Sequence, residues 1–537
     1  MTKIYLETFG CQMNVLDSEL VESQLRAQGY TFTPALDDAN IVLYNTCSVR
    51  DRSEQKVWSR LGVLKLRKAQ DPSLIIGVIG CMAQREGPGL MKRMPHVDLM
   101  CGPSQLDQLP ALLENVLGAR TRRHALTGPN SRRTQTAARA GEAPDDGLES
   151  LDLARSFSPL QQRFQAYVRI VRGCNKFCTY CVVPYTRGAE ISRPPQNILE
   201  ECRKLADAGC LEITLLGQTV NHYFHEEAAP ISTSTGPAQK RTTFAELLHL
   251  LHESLPHLPR LRFLTSYPAD FGDDILHVMR DSPRLCRYLH IPAQSGSNRI
   301  LKMMNRGYSR ASYLDLIARA RSLVPGIQLV GDFIVGFPTE TDEDYAFSRS
   351  LTEFSRYKNS FIFKYSPRPG TIGATRFQDD IPEEVKRFRN NDLLQLQNRI
   401  SHELNRELIG QLVEVLCDGP TGWAGNNAPA DRESLVAGSA CESPVELGPT
   451  LAAGFRKSNG TPRLDRHGQP YVAPQPPAPR PADWVQLSGR TTFDQIVVFD
   501  GPPALTGRIL PVRIREAHGM TIFADLAPAP NACTTPA

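Results

Sequence analysis

The sequence predicts an α/β protein in three parts: an open α/β sheet at the N-terminus, a partial barrel of six βα units in the centre, and a small β-barrel at the C-terminus. Three observations carry this. Strand and helix patterns alternate through residues 1–118, and one of the strands is nearly all apolar; such alternation builds parallel βαβ units. Six more strand patterns, separated by amphipathic runs, follow between 159 and 395. Past residue 409 the helical period gives way to short strands bounded by turn residues.

In chain order, "KIYLETF" (3–9) reads as a strand and "DSELVESQLRAQGY" (17–30) as a helix that opens on an acidic cap and stops at Gly29. "IVLYN" (41–45) is the second strand, 53–70 the second helix, and "SLIIGVIG" (73–80) a buried third strand. Residues 119–158, rich in Arg, Thr, Gly and Ala, read as a flexible linker. The central strands are "YVRIVR" (167–172), "EITLLG" (212–217), "RFLTS" (262–266), "YLHIP" (288–292), "QLVGDFIVG" (328–336) and "SFIFKY" (360–365). Helical sequence such as 311–324 lies between them, and 226–242 is a surface insertion. Six βα units make an open version of a barrel whose chemistry sits at the C-terminal strand ends. The last part, 409–527, offers strands at 411–419, 484–491, 495–501, 507–519 and 520–526. A Pro-, Ala- and Gly-rich insertion (about 420–483) interrupts it, and 528–537 is a disordered tail.

The net charge of +4 over 537 residues is too mild to indicate a nucleic-acid partner by itself. The N-terminus has no secretory h-region, and no stretch approaches the roughly 18 apolar residues of a membrane span. The expectation is a cytoplasmic protein with no membrane contact. Thiols stay reduced there, so 13 cysteines, an odd number, point to metal ligands or catalytic groups before disulfides.

"RGCNKFCTYCVVPY" (172–185) places Cys174, Cys178 and Cys181 at C-x3-C-x2-C after a strand end. Tetrahedral zinc asks for a fourth Cys or His, and the next histidine is His222. An iron–sulfur cubane fits better, because three thiolates leave one iron open to another ligand; three incidental buried cysteines are the alternative. A second set is dispersed. Cys11 in "TFGCQMN", Cys47 in "YNTCSVR" and Cys81 in "VIGCMAQ" each follow one of the first three strands. Parallel strands bring their C-terminal ends to one edge, where ligands bind. Here the alternative is three small apolar residues placed after buried strands.

C-x3-C-x2-C with Tyr180 before the last cysteine resembles the signature of the radical S-adenosylmethionine enzymes, whose core is a partial six-unit barrel. In that family the open iron chelates S-adenosylmethionine, and the reduced cluster cleaves it to a 5′-deoxyadenosyl radical. "TFGCQMNVLDSE", "NTCSVR" and "GCMAQ" resemble the N-terminal domain of the methylthiotransferases. With "GCNKFCTYCVVPYTRG", they look most like the subgroup acting on N(6)-dimethylallyladenosine in tRNA. "LLGQTVNHY" (215–223), "QSGS" (294–297), "DFIVGFPTET" (332–341) and "LSGRT" (487–491) lie where that family has counterparts. Tyr267, where a histidine is expected, and Ala293, where valine is usual, are small departures.

The resemblance implies two 4Fe–4S clusters, one on Cys174, Cys178 and Cys181 and one on Cys11, Cys47 and Cys81. The first would make the radical; the second would hold the sulfur inserted, as a methylthio group, at carbon 2 of the adenosine 3′ to the anticodon. It further implies a tRNA substrate, a flavodoxin-type or similar electron donor, and an RNA-binding TRAM domain as the C-terminal barrel; a monomer is expected. No side chain is expected as a general acid or base. Tyr180, Gly217, Gln218, Ser266, Gln294 and Gly336, at or beyond predicted strand ends, are candidates for the S-adenosylmethionine pocket. Arg187 and Arg193 are candidates for a phosphate or a cofactor carboxylate, and Arg490, Arg508, Arg513 and Arg515 for RNA phosphates. Cys101, Cys202, Cys210, Cys286, Cys417, Cys441 and Cys533 are taken as structural. Related enzymes acting on threonylcarbamoyl-adenosine or on a ribosomal-protein aspartate are the alternative, and an RNA-binding protein with structural or redox-sensing clusters is the reading from another class.

Overall fold

A computed structural model of the chain describes residues 2–49, 51–119, 121–126, 147–155, 164–226, 241–421, 481 and 483–527. The expected tail and most of the two expected insertions lie outside the described residues.

The N-terminal sheet has six parallel strands, Lys3–Phe9, Thr31–Phe32, Ile41–Thr46, Ile75–Gly80, Leu99–Cys101 and Arg123–Ala125. The second strand lies at one edge, next to the first; the third to sixth follow in order. Every residue of Ile41–Thr46 and Ile75–Gly80 is buried, as strands covered on both faces must be. Gln12–Ala27 and Leu109–Ala119 pack on one face through Leu16, Leu20, Leu25, Leu109 and Leu113. Asp51–Gln70 and Cys81–Glu86 cover the other through Val57, Leu61, Leu64 and Met82.

Two expectations change here. The first helix starts at Gln12, not at residue 17, because Cys11 is its extended N-cap and the Cys11 carbonyl accepts from the N–H groups of Asn14 and Val15. Asp17 therefore caps nothing; it is buried within the helix. Of the stretch expected as a linker (119–158), 120, 127–146 and 156–158 lie outside the described residues; the described parts supply the sixth strand and a helix, Gly147–Leu153, on which Glu149 and Asp152 are buried. Leu148 and Leu151 anchor that helix in the N-terminal core, and charged partners elsewhere in the chain, described below, hold its polar face.

The central strands form two parallel sheets of three, Gln165–Arg169, Glu212–Leu216, Arg260–Phe263 and Tyr288–His290, Gln328–Val335, Asn359–Lys364. Hydrogen bonds from Leu261 N–H to the Arg284 carbonyl and from Cys286 N–H to the Leu261 carbonyl, both 2.8 Å, join them. Strand order follows chain order, and the first and last strands do not pair among the described residues; the barrel is open. The stretch expected as strand 262–266 ends at Phe263, so Thr265, at φ 68°, and Ser266 lie on the turn beyond it. The expected strand 167–172 divides, with Val171–Arg172 pairing instead with Ile191–Ser192.

Glu383–Arg406 is one 24-residue helix that runs past the expected end of the core at 395 and leads into the last part. There Leu412–Pro420, Val485–Thr491, Ile496–Gly501, Ile509–His518 and Thr521–Leu526 close a five-stranded barrel around Val415, Leu487, Val497, Val512 and Ile522. It docks on the N-terminal ends of the core strands. Arg260 donates to the carbonyls of Arg490 (2.8 Å) and Glu414 (3.1 Å), and Lys358 to that of Phe493 (2.6 Å). The cysteines lie beyond the opposite ends of those strands.

Candidate functional site

Sheet register gathers the dispersed cysteines. Phe9 is level with Thr46, and Thr46 with Gly80, so Cys47 and Cys81 lie one residue past that level and Cys11 two. The approach is close: a Cβ on Gly10 would lie 2.8 Å from the Cβ of Cys47, and one on Gly80 2.3 Å from Asn45 Oδ1. Gly80 also has φ 88°, a conformation that suits glycine alone and turns the strand straight into the helix led by Cys81. Beneath the thiols, Asn14 Nδ2 donates to Asn45 Oδ1 (3.0 Å), and Asn45 Nδ2 donates to the Asn14 carbonyl (2.9 Å) and Ser18 Oγ (2.8 Å).

The local set lies on one loop after Arg172. Gly173, at φ 66°, admits the Ala189 carbonyl where a Cβ would stand. Backbone bonds pin the loop: Cys174 N–H to the Gly188 carbonyl, Thr179 N–H to that of Met304 and Gly373 N–H to that of Thr179. Asn305 Nδ2 donates to the carbonyls of Lys176 and Phe177. Arg306 Nη1 lies 3.4 Å from Cys178 Sγ.

The thiols feel one another. Hydrogen bonding from Cys47 lowers the Cys11 pKa to about 6, and Cys47 is pushed up in return. Burial raises Cys81 and Cys174, and burial with the charge of Cys178 pushes Cys181 up to about 12. The helices Cys81–Glu86 and Val183–Thr186 pack together and Arg187, six residues past Cys181, hydrogen-bonds Cys81, so the two sets lie on either side of one junction. All six thiols are free of disulfides. Among the described residues no three His, Cys, Asp or Glu side chains are gathered tightly enough for a single metal ion. An iron–sulfur cluster asks something different of its thiols, because each binds a separate iron. Buried thiols that resist ionising alone become thiolates once cationic iron is beside them, and the residues therefore fit such a group.

Between the sets lies a buried ion network. Arg187 Nη2 is 2.7 Å from Asp17 Oδ2, hydrogen-bonds Cys81, and lies close enough to Cys11 to lower its pKa. Arg169 reaches Asp152 (2.8 Å) and Asp17 (3.5 Å), Arg172 reaches Glu149 (2.7 Å), and Arg193 reaches Glu149 (2.8 Å) and Glu201 (2.7 Å). The expectation of a phosphate or cofactor carboxylate on Arg187 and Arg193 is thus corrected: both are buried against protein carboxylates. Glu149 and Asp152 were hidden from sequence reading by the low-complexity residues before them.

Of the candidate pocket residues, Tyr180 packs with Met303, Ile334 and Phe377 around Ile300, Met304, Phe337 and Tyr365. Gly217 and Gln218 turn the chain at the end of Glu212–Leu216. Ser266 is 2% exposed and its hydroxyl has no hydrogen-bond partner among the described residues. Gln294, at φ 66°, exchanges backbone bonds with Asp332 (2.7 Å) and Ile334 (2.9 Å). Gly336, at φ 69°, is covered by Lys386. Apart from Tyr180, which is on the cysteine loop itself, these residues lie beyond C-terminal strand ends, the same end of the core as that loop, and the orphaned Ser266 hydroxyl suits a polar ligand there.

Sequence reading missed three groups. A cavity of about 430 Å³ beside Cys178 is lined by Lys176, Tyr267, Lys302, Asn305 and Arg306, with Tyr267 between the cations of Lys176 and Arg306, each 4.5 Å from its ring. His222 pairs with Glu190 (2.5 Å) and lies 3.7 Å from Asp270, which also holds Lys176. His290 and Asp332 meet inside the barrel at 3.2 Å. Positive φ at Thr265, Gln294 and Asn305 marks these turns, but nothing in local sequence announces it. In the C-terminal barrel, Arg490 pairs with Asp494 and Arg515 with Asp525, while Arg513 holds the Gly410 carbonyl and Arg508 is exposed.

The family model of the radical SAM superfamily matches residues 168–350, and that of an uncharacterized protein family, UPF0004, matches residues 3–102. A tRNA-2-methylthio-N(6)-dimethylallyladenosine synthase of Rhodopirellula baltica is 41% identical over 525 residues, 97% of this chain and 95% of that one. The synthase of the same name from Akkermansia muciniphila is 36% identical over 98% of this chain and all of its own. That of Protochlamydia amoebophila is 42% identical over 78% of this chain and 86% of its own.

Proposed function

The chain belongs to the tRNA-2-methylthio-N(6)-dimethylallyladenosine synthase family, and on that premise we propose that it replaces the hydrogen on carbon 2 of N(6)-dimethylallyladenosine, 3′ to the anticodon of tRNA, with a methylthio group. It is a radical S-adenosylmethionine enzyme that transfers a sulfur-containing group. The finer reading assigns one 4Fe–4S cluster to Cys174, Cys178 and Cys181 and a second to Cys11, Cys47 and Cys81. The observation that carries it is the pair of three-thiol sets, each one ligand short of four, on either side of one buried junction.

When bound, the clusters and S-adenosylmethionine supply hydrogen abstraction at one set and the methylated sulfur at the other, chemistry that no side chain can perform on an aromatic C–H bond. The chain's own residues bind and orient. Gly217, Gln218, Ser266, Gln294 and Gly336 frame the S-adenosylmethionine pocket, with Tyr180 against its adenine. Arg187, held by Asp17, fixes the spacing of the two sets and gives the dispersed one a counter-charge. The closed five-stranded barrel acts as the RNA-binding TRAM domain. In this reading the protein works in the cytoplasm as a monomer with a flavodoxin-type or similar electron donor. Among the described residues no helix is long and apolar enough to cross a membrane.

Anaerobic reconstitution should load about eight irons per chain, two cubanes, and about four would remove the second cluster. Mass spectrometry of bulk tRNA from a deletion strain should show the methylthio-prenyl nucleoside lost and its prenylated precursor accumulated. Loss of the methylthio form of threonylcarbamoyl-adenosine would transfer the activity to that nucleoside, and an unchanged set of methylthio nucleosides, with a ribosomal-protein aspartate losing its methylthio group in the proteome of the same strain, would transfer it to the ribosomal protein.

A further inference from the structure

The inner face of the last two core strands carries an apolar wall that the reading above leaves unused. Where Gln328–Val335 pairs with Asn359–Lys364, Asp332 is level with Phe361 and Ile334 with Phe363, so these four side chains share one side of the sheet. The alternating residues Phe333, Val335 and Ile362 are buried in the layer under the helices, which makes the first four the lumen side. A closed barrel would bury them. Here Asn359–Lys364 is the open edge, and Phe363 is 39% exposed.

Two contacts attach this wall to the site. Ile334 packs in the cluster that holds Tyr180, next to Cys181. Phe361 meets the ring of His290 edge-on at 6.3 Å, and His290 Nε2 lies 3.2 Å from Asp332 Oδ1. The lumen therefore sets a polar pair directly beside an apolar surface, at the side of the barrel a macromolecule can reach.

We propose that Ile334, Phe361 and Phe363 receive the dimethylallyl substituent of the target adenosine and make the enzyme select prenylated RNA, with His290 and Asp332 facing the polar edge of the base. This rests on the function proposed above. A branched five-carbon group on a purine needs one apolar surface contiguous with one hydrogen-bonding edge, and that pairing is what this stretch of lumen offers. S-adenosylmethionine has no comparable alkyl branch; Ile334, in the cluster of Tyr180, is where the wall meets the cofactor pocket, whereas Phe361 and Phe363 continue the wall along the edge strand away from Tyr180's cluster.

The test uses the reconstituted full chain and two anticodon stem-loop RNAs, one with N(6)-dimethylallyladenosine and one with adenosine at the target position. The native protein should bind the prenylated RNA more tightly and act on it alone. Phe363→Ala should cut the ratio of the two dissociation constants about tenfold, the scale on which apolar pockets discriminate, and Phe363→Leu should restore most of it. Phe363 is exposed enough that its truncation spares the fold, which a thermal melt verifies. An unchanged ratio in Phe363→Ala overturns the inference while leaving the proposed function standing. A raised KM for S-adenosylmethionine with the RNA ratio unmoved overturns it too, by giving the wall to the cofactor. A native protein indifferent to the prenyl group and inactive on both RNAs overturns the proposed function itself.

Discussion

Cys174, Cys178 and Cys181 come from a single loop of eight residues, whereas Cys11, Cys47 and Cys81 are delivered by three strands whose register must hold for the thiols to meet. The local set owes its shape to backbone bonds with neighbouring turns and to Gly173. The dispersed set owes its shape to the whole N-terminal sheet. A local site survives distant damage; a dispersed one integrates it. The two sets should therefore fail separately, and for different reasons.

The largest separation is chemical. Cys178→Ala should abolish 5′-deoxyadenosine formation, while Cys47→Ala should leave it running and abolish only the methylthio product, as liquid chromatography of the two reactions would show. Deoxyadenosine from Cys178→Ala would exchange the roles given to the sets. Next comes the junction they share. Arg193→Met leaves Glu149 to Arg172 and Glu201 to Arg155, which is 3.6 Å away, so each keeps one of its two cations; the loss should approach, without exceeding, the roughly 3–5 kcal/mol of a broken buried pair, and denaturant unfolding should show it, with iron falling at both sets. A stability change below about 0.5 kcal/mol, the level of surface substitutions, would return Arg193 to a ligand role.

Gly80→Ala is narrower. Its Cβ would meet Asn45 Oδ1 at a backbone conformation that costs a side chain about 1–3 kcal/mol. Iron analysis should show about half of the complement lost, all from the dispersed set, and spectra of the local cluster unchanged. Equal loss from both sets would mean that the local loop also depends on the sheet.

The smallest effect lies at the far end of the core and should touch neither set. Burial pushes the Asp494 carboxyl up, but Arg262, Arg490 and Lys358 outweigh it and hold its pKa at about 2, against an ordinary 3.8. A folded pKa below the unfolded one contributes stability above about pH 4 and loses it as pH falls through 2. Asp494→Asn should cost about 1–2 kcal/mol at neutral pH, discounted for partial solvent screening. Thermal melts of the two proteins should converge between pH 4 and 2, and parallel curves across that window would place the stabilising charge elsewhere.

What sequence reading reached and what it missed follow from the same contrast. The alternation of the N-terminal strands, the order of the six core strands and all five strands of the last barrel were legible, since each rests on local periodicity. C-x3-C-x2-C was legible as spacing, and the dispersed cysteines as a repeated position after strands. The start of the first helix was misplaced because Asp17 imitates a cap, while the cap used is the backbone of Cys11, which carries no compositional signal. Glu149 and Asp152 were missed because a helix held by charges 17 to 44 residues away looks like polar linker from within. Arg306 beside Cys178 was missed because 128 residues separate them. The lumen wall needed the register of two strands, which alternation within one strand cannot supply.

The short helix Gly147–Leu153 bears on how the chain can be divided. Its two carboxylates neutralise Arg169, Arg172 and Arg193, all rooted in the core, while Arg169 and Arg187 reach back to Asp17 in the N-terminal unit. A protein chemist who cuts the chain between residues 126 and 147 keeps the helix with the core but strips Arg187 of Asp17. A cut between residues 155 and 164 strands Arg169 and Arg172 and leaves Arg193 with Glu201 alone. Neither fragment is a natural module, and transplanting either half into a chimera carries the debt of the missing countercharges with it.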